Sequence, residues 1–325
     1  MRLHEDRDAF KLLLETIHEQ TGYRTDVLEK DYYVVLILHE LSEFQSNGLP
    51  AFFKGGTALY KALKTTNRFS EDIDISVDAR GCSRTQNDKR LKRATKEYVS
   101  LPRDSSQGKT NRSEVVSIYT YDPVTAFDEN DVLQRFGKLK VEATSFTISE
   151  PVESLEVSAM LYNLATEEQR RILEKIYDVK PFHIQTITME RIFIDKLFAA
   201  EAYVRSSSLG HKAFEAAKHI YDLAVIAEHP KIEKLFSDSN KLQQLLEIRL
   251  EEEQGRLDGI PDVYPTEFTF FTHMRENDNV RKAYDTMQSQ YVLLDQDRIE
   301  FESAAEAMLK IQNKLSKNPA WRSGT

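Results

Sequence analysis

The chain has 325 residues, of which 40% are hydrophobic and 30% charged, with a formal net charge of −9. That length accommodates two cores at about 100–200 residues each, and no apolar stretch approaches the roughly 20 residues that cross a bilayer. The acid excess argues against a general nucleic-acid coat, whose affinity rests on cations that neutralise phosphates, and the single cysteine, Cys82, excludes an internal disulfide and points to a cytoplasmic protein.

Arg2, His4, Glu5, Asp6, Arg7 and Asp8 crowd the start, where a secretion signal would need an apolar segment. Residues 28–38 form an apolar run long enough for a buried helix. The stretch Phe52-Phe53-Lys54-Gly55-Gly56-Thr57-Ala58-Leu59-Tyr60-Lys61-Ala62-Leu63 reads as strand, tight turn and helix start, because the apolar run stops at the glycines and helix formers follow. Exposed amides at such a start suit a phosphate. In Glu71-Asp72-Ile73-Asp74-Ile75-Ser76-Val77 acids alternate with aliphatics, so Asp72 and Asp74 should project from one strand face while the isoleucines enter a core. Two carboxylates on one face make a hard-oxygen site for magnesium. An EF-hand would need glycine and glutamate where the chain has Val77 and Ser83, and neither a Walker sequence nor a Gly-x-Gly-x-x-Gly is present.

Between Cys82 and Arg112 nine cations, Arg84 to Arg112, face only Asp88, Glu97 and Asp104. Such a patch could steer a polyanion such as RNA, although a solvated helix with a mobile loop over 101–111 accounts for it equally simply. In Lys138-Leu139-Lys140-Val141-Glu142-Ala143-Thr144 the alternation returns, placing Lys138, Lys140 and Glu142 on one strand face. Glu142 is the candidate third carboxylate of a two-metal clamp; for Lys140 a cross-strand ion pair competes with a place near phosphates.

Bulky apolar residues near helical spacing predict a helix over 188–200, from which Lys196 reaches out, with Arg191 and Asp195 set four apart for a salt bridge. A further helix runs from Lys212 to Ile226 and carries His219 and Asp222. The chain from Lys231 onward is rich in helix formers, interrupted by a loop over 255–265 and followed by a core-type aromatic group, Phe268, Phe270 and Phe271; the tail after Asn318 reads as frayed.

Gly55-Gly56-Thr57 followed by Asp72-Ile73-Asp74 resembles the minimal nucleotidyltransferase fold of the DNA polymerase beta-like superfamily. The longer run from Lys54 through Arg68-Phe69-Ser70 to Val77 is similar to the AbiEii/AbiGii toxin family, as are Glu29-Lys30-Asp31-Tyr32, Lys140-Val141-Glu142, Lys196 and Tyr221-Asp222-Leu223. The chain departs from that family at Lys218-His219, where Arg-Asp is common, so an ordinary tertiary contact is the expectation for His219.

The resemblance implies an α+β core over 1–185, a short mixed sheet with flanking helices, and a mainly helical lobe over 186–325 that closes the cleft. It implies transfer of NMP from an NTP to an acceptor hydroxyl on RNA such as tRNA, or on a protein. Gly55, Gly56, Thr57 and Arg68 would hold the nucleotide, Asp72, Asp74 and Glu142 two Mg2+ ions with Mn2+ as the alternative, and Lys196 the phosphates, with Asp222 orienting Lys196 or the acceptor. The biological setting implied is a toxin–antitoxin or phage-defence pair with a cognate antitoxin. A metal-dependent phosphohydrolase and a catalytically inactive nucleotide-binding module are the rivals.

Overall fold

The alternation at Ile73–Val77 becomes a central strand of a seven-stranded mixed sheet in the computed structural model of the chain, which describes residues 1–126, 136–208, 210–255, 267–269 and 273–323. The strands are β1 (Ala51–Lys54), β2 (Ile73–Val77), β3 (Arg103–Thr110), β4 (Glu114–Thr120), β5 (Lys138–Thr144), β6 (Val152–Val157) and β7 (Phe182–Ile187), in the order β3-β4-β5-β2-β1-β7-β6. β2 runs antiparallel to β1 and parallel to β5, and β1 runs parallel to β7.

One face of the sheet is the core. Ala51, Phe53, Ile73, Ile75, Val77, Leu139, Val141 and Ala143 are fully buried there; each large aliphatic so removed from water contributes about 1.5–3 kcal/mol. The helix α4 (Arg84–Lys96), which starts at a Ser83/Gln86 capping box, packs on β2, β4 and β5 and buries Leu91 and Ala94. Tyr119 on β4 donates its hydroxyl to the Thr95 carbonyl at 2.8 Å, fixing strand to helix. The alternate residues of β1, β2 and β5 therefore project from the other face. They include the acids.

The segment 101–111 differs from its sequence reading as a loop. It is an edge strand, paired with β4 through the backbone, whose side chains are almost all exposed. A register shift falls between Asp104 and Gly108, and Gly108 has φ +116, with the Val116 carbonyl only 2.5 Å from where a Cβ would stand. Nothing apolar alternates here, because the strand buries neither face.

The chain divides into two units, one made of Met1–Ala62 and Glu71–Thr186, the other of Leu63–Ser70 and Ile187–Thr325. In the first, α1 (Arg7–Thr21), α2 (Thr25–Ser46), α3 (Gly55–Lys61), α5 (Met160–Leu164) and α6 (Glu167–Tyr177) accompany the sheet and α4. The apolar run at 28–38 lies inside α2 and is buried along its whole length.

The second unit is helical among its described residues: α7 (Met189–Arg205), α8 (Gly210–Ile226), α9 (Pro230–Ser237), α10 (Ser239–Gly255), α11 (Asp278–Tyr291), α12 (Phe301–Leu315) and α13 (Pro319–Ser323). The short segment before the acids joins it, since Phe69 donates its N–H to the Tyr291 carbonyl at 2.7 Å and Asn67 reaches Asp297 at 2.9 Å. Arg191 is fully buried and pairs with Asp195, as the four-residue spacing predicts, and with Glu252 at 2.5 Å. Phe268 is buried, edge-on to Phe198 and Trp321; Phe270 and Phe271, nearly all of the 255–265 loop and the last two residues of the tail lie outside the described residues.

Candidate active site

Three strands bring the acids together. In register, Lys54 of β1 stands opposite Asp74 of β2, and Asp74 stands beside Glu142 of β5, so the three side chains form a row across the open sheet face. Asp72 lies two residues before Asp74 and shares its face. Lys140, two residues before Glu142, places its Nζ 3.0 Å from Glu142 Oε2 and 3.5 Å from Asp72 Oδ2.

The glycine pair fits against this row. Gly55 has φ +81, a conformation costly for any side chain, and a Cβ there would stand 2.2 Å from Asp74 Oδ2. The turn must be glycine so that its backbone can lie on the carboxylate. Gly56 follows as the second residue of the seven-residue α3. Thr57 differs from its sequence reading. It is fully buried and donates its hydroxyl to the Asp72 carbonyl at 2.5 Å, so it ties α3 to the acid-bearing chain rather than presenting Oγ1 to a phosphate.

The Glu29-Lys30-Asp31 element is scaffold. Lys30 pairs with Glu71 at 3.4 Å, Asp31 pairs with Lys61 at 2.6 Å and accepts from the Met160 N–H at 2.6 Å, and Glu29 accepts from the Val124 and Thr125 N–H groups. Lys30 thus fixes the residue immediately before Asp72.

Burial, followed by the charges of Glu142 and Asp72, pushes the Asp74 carboxyl up to about 6. Lys140 shows the reverse balance: burial lowers it, but Asp72, Glu142 and Asp74 outweigh that and hold it above the ordinary lysine range. Among the described residues no three His, Cys, Asp or Glu side chains stand together at metal-ligating geometry. The sequence reading has three carboxylates converging on cations; here an ammonium takes two of them. Like charges held on one strand face need a counter-charge, and Lys140 supplies it. The donor chemistry suits a divalent cation: three hard-oxygen carboxylates share one face, and burial, followed by the charges of the other two, pushes one of them up.

Lys54 escaped the sequence reading. Its Nζ donates to Thr144 Oγ1 at 3.1 Å, beside the acid row. A four-residue strand gives too short an alternation to assign its face, so only the pairing with β2 reveals it.

The second unit holds the other predicted residues as one buried cluster. Arg68 donates Nε and Nη2 to the two Asp222 oxygens at 3.0 and 2.8 Å, and Lys196 donates to Asp222 Oδ2 at 2.7 Å. The three side chains are 4%, 6% and 0% exposed. Arg68, read from sequence as a nucleotide ligand, instead spends its planar fork on a carboxylate that matches it. Burial raises Asp222, but Arg68 and Lys196 overcome it and hold its carboxyl well below the usual range. His219, one turn before Asp222 on α8, stacks on Tyr203 of α7 with centroids 5.5 Å apart and planes 11° apart. Its Nδ1 is buried with no hydrogen-bond partner, and burial, with Lys196 next, pushes the ring well below its ordinary value. That is a tertiary packing contact.

A mixed sheet with one open face, an acid row on that face and a glycine turn seated on the central acid are consistent with a nucleotidyltransferase fold. The family described as "Nucleotidyl transferase AbiEii toxin, Type IV TA system" matches residues 38–309, and the chain belongs to it. It is therefore a transferase of the toxin–antitoxin class, for which the family implies a nucleotide substrate and a cognate antitoxin; such enzymes generally use divalent metals. No curated protein matches the chain. The structure titled "Crystal structure of JHP933 from Helicobacter pylori" is similar at 18% identity and a TM-score of 0.43, covering 91% of this chain and 95% of that one. No helix among the described residues is long and apolar enough to cross a membrane.

Proposed function

We propose that the chain transfers NMP from an NTP to an acceptor hydroxyl, on an RNA such as tRNA or on a protein, and acts as the toxin of a phage-defence or toxin–antitoxin pair in the cytoplasm, where NTPs are available. The supporting observation is the row Lys54, Asp74, Glu142 with the Gly55 backbone seated on the Asp74 carboxylate.

In this reading Asp72, Asp74 and Glu142 hold magnesium, as two ions, with manganese able to substitute. A divalent cation bound there would lower the pKa of the acceptor hydroxyl and stabilise charge on the departing pyrophosphate. Gly55 and Gly56 offer backbone N–H groups to the phosphates, and Thr57 acts through the Asp72 backbone it anchors. Lys54, tethered by Thr144, supplies a fixed positive charge beside Asp74. Residues 1–185 carry this chemistry. Within the second unit, Lys196 and Arg68 both grip the Asp222 carboxylate.

The test is incubation with each α-labelled NTP, magnesium and total RNA or protein, comparing the chain with Asp72→Asn. Label appearing in RNA or protein, and lost in the variant, supports transfer. Label appearing as free NDP or NMP without transfer replaces it with hydrolysis. Nucleotide binding with neither outcome leaves an inactive binding module.

A further inference from the structure

We propose that Lys140 is a built-in counter-cation that competes with the divalent metal for Asp72 and Glu142, and that loading the site requires its ammonium to let go of both carboxylates. The inference rests on the reading that these acids hold the metal.

Three observations carry it. The Lys140 Nζ is within ion-pair distance of two of the three acids, 3.5 Å from Asp72 and 3.0 Å from Glu142, on different strands. The strand register puts this side chain on the acids' face, because Lys140 and Glu142 are i and i+2 on β5 and Glu142 stands beside Asp74. Among the described residues the lysine pairs only with these acids, and all three are partly exposed, Lys140 at 38%, Asp72 at 46% and Glu142 at 26%, so its pairs are reachable by water rather than a buried lock. By contrast, the family's other lysine, Lys196, is buried and pairs with an acid outside the row.

A monovalent ammonium and a divalent cation seek the same oxygens. The ammonium keeps three carboxylates tolerable to one another, and it costs the metal the work of displacing it. Once released, it remains on the same strand face with its charge available to the nucleotide's phosphates, which enter with the metal. Weak metal binding without nucleotide, and stronger binding with it, follows from that arrangement.

The experiment measures Mn2+ binding to the full chain by electron paramagnetic resonance, without nucleotide, for the native sequence, Lys140→Met and Lys140→Arg. Methionine keeps the apolar stem and removes the charge; arginine keeps the charge. We expect Lys140→Met to bind Mn2+ about tenfold more tightly, the scale of two partly exposed ion pairs of the usual strength, and Lys140→Arg to stay weak. The difference in Mn2+ affinity between the native chain and Lys140→Met should narrow as potassium chloride, raised from about 0.05 to about 0.5 M, screens the ammonium. A thermal melt of each metal-free variant, with circular dichroism, verifies that it is folded. If the native chain binds Mn2+ and Lys140→Met binds it equally or more weakly, the competition is refuted while the metal reading stands. If neither binds, both are refuted.

Discussion

Replacing Asp74 by asparagine should stabilise the metal-free protein at neutral pH. The carboxyl rises from 3.8 to about 6 because it is buried and faces the charges of Glu142 and Asp72. Since its folded value lies above its unfolded one, the folded state holds the proton more tightly, and stability falls as pH rises from about 4 to about 6. The penalty is absent below that window and complete above it. At 1.36 kcal/mol per pH unit the rise corresponds to about 3 kcal/mol, a net figure that already includes the attraction to Lys140 and Lys54. Asparagine has the same shape, so it leaves the carbonyl-type oxygen against Gly55 in place. Thermal melts in chelator at pH 4 and pH 8 should show the variant a few degrees above the native chain at pH 8 and level with it at pH 4. Adding Mg2+ should raise the native melt and leave the variant's nearly unchanged. A variant less stable than the native chain at pH 8, or a gain equally large at pH 4, would refute the repulsion argued here.

Gly55→Ala should abolish transfer and destabilise the fold by more than about 1 kcal/mol, since it combines positive φ with a Cβ 2.2 Å from Asp74 Oδ2; urea titration and the label assay measure the two effects. Asp222→Ala leaves Arg68 and Lys196 buried without their partner, and should cost about 3–5 kcal/mol in the same titration. Arg68→Ala, which leaves Lys196 to pair with Asp222, should cost less. His219→Phe keeps the stack on Tyr203 and deletes a buried nitrogen with no partner, so stability should hold or rise by up to about 1 kcal/mol and transfer activity should persist. Loss of activity in a folded His219→Phe would make the histidine part of the chemistry.

What could be read from the sequence was local. The period of two at Ile73–Val77 and Lys138–Thr144 separates buried aliphatics from acids because each strand has one face in the core, and the structure repeats that separation residue for residue. The glycine turn was legible because positive φ leaves few residues to choose from. Pairing was not legible. That β5 joins β2 in parallel, with Glu142 beside Asp74, depends on contacts nearly seventy residues apart along the chain, and Lys54 joins the row only through its antiparallel partner. β3 was read as a loop because an edge strand that buries neither face leaves no hydrophobic signature.

The same limit explains the ionic contacts. A sequence gives the sign of a charge but its counter-charge only where both lie on one helix, as for Arg191 and Asp195, and three of the basic residues near the motifs take distant or cross-strand partners. Arg68 goes to Asp222, 154 residues away, Lys30 to the glutamate preceding Asp72, and Lys140 to the acids themselves. The first of these is buried, so neutralising one member leaves the others stranded in low dielectric and the loss appears as instability. Lys140 is partly exposed, at 38%, so its neutralisation leaves the carboxylates open to water and changes their affinity for other cations. Activity loss at Asp222 therefore carries information about chemistry only beside a stability measurement, whereas a change at Lys140 reports directly on the carboxylates it touches.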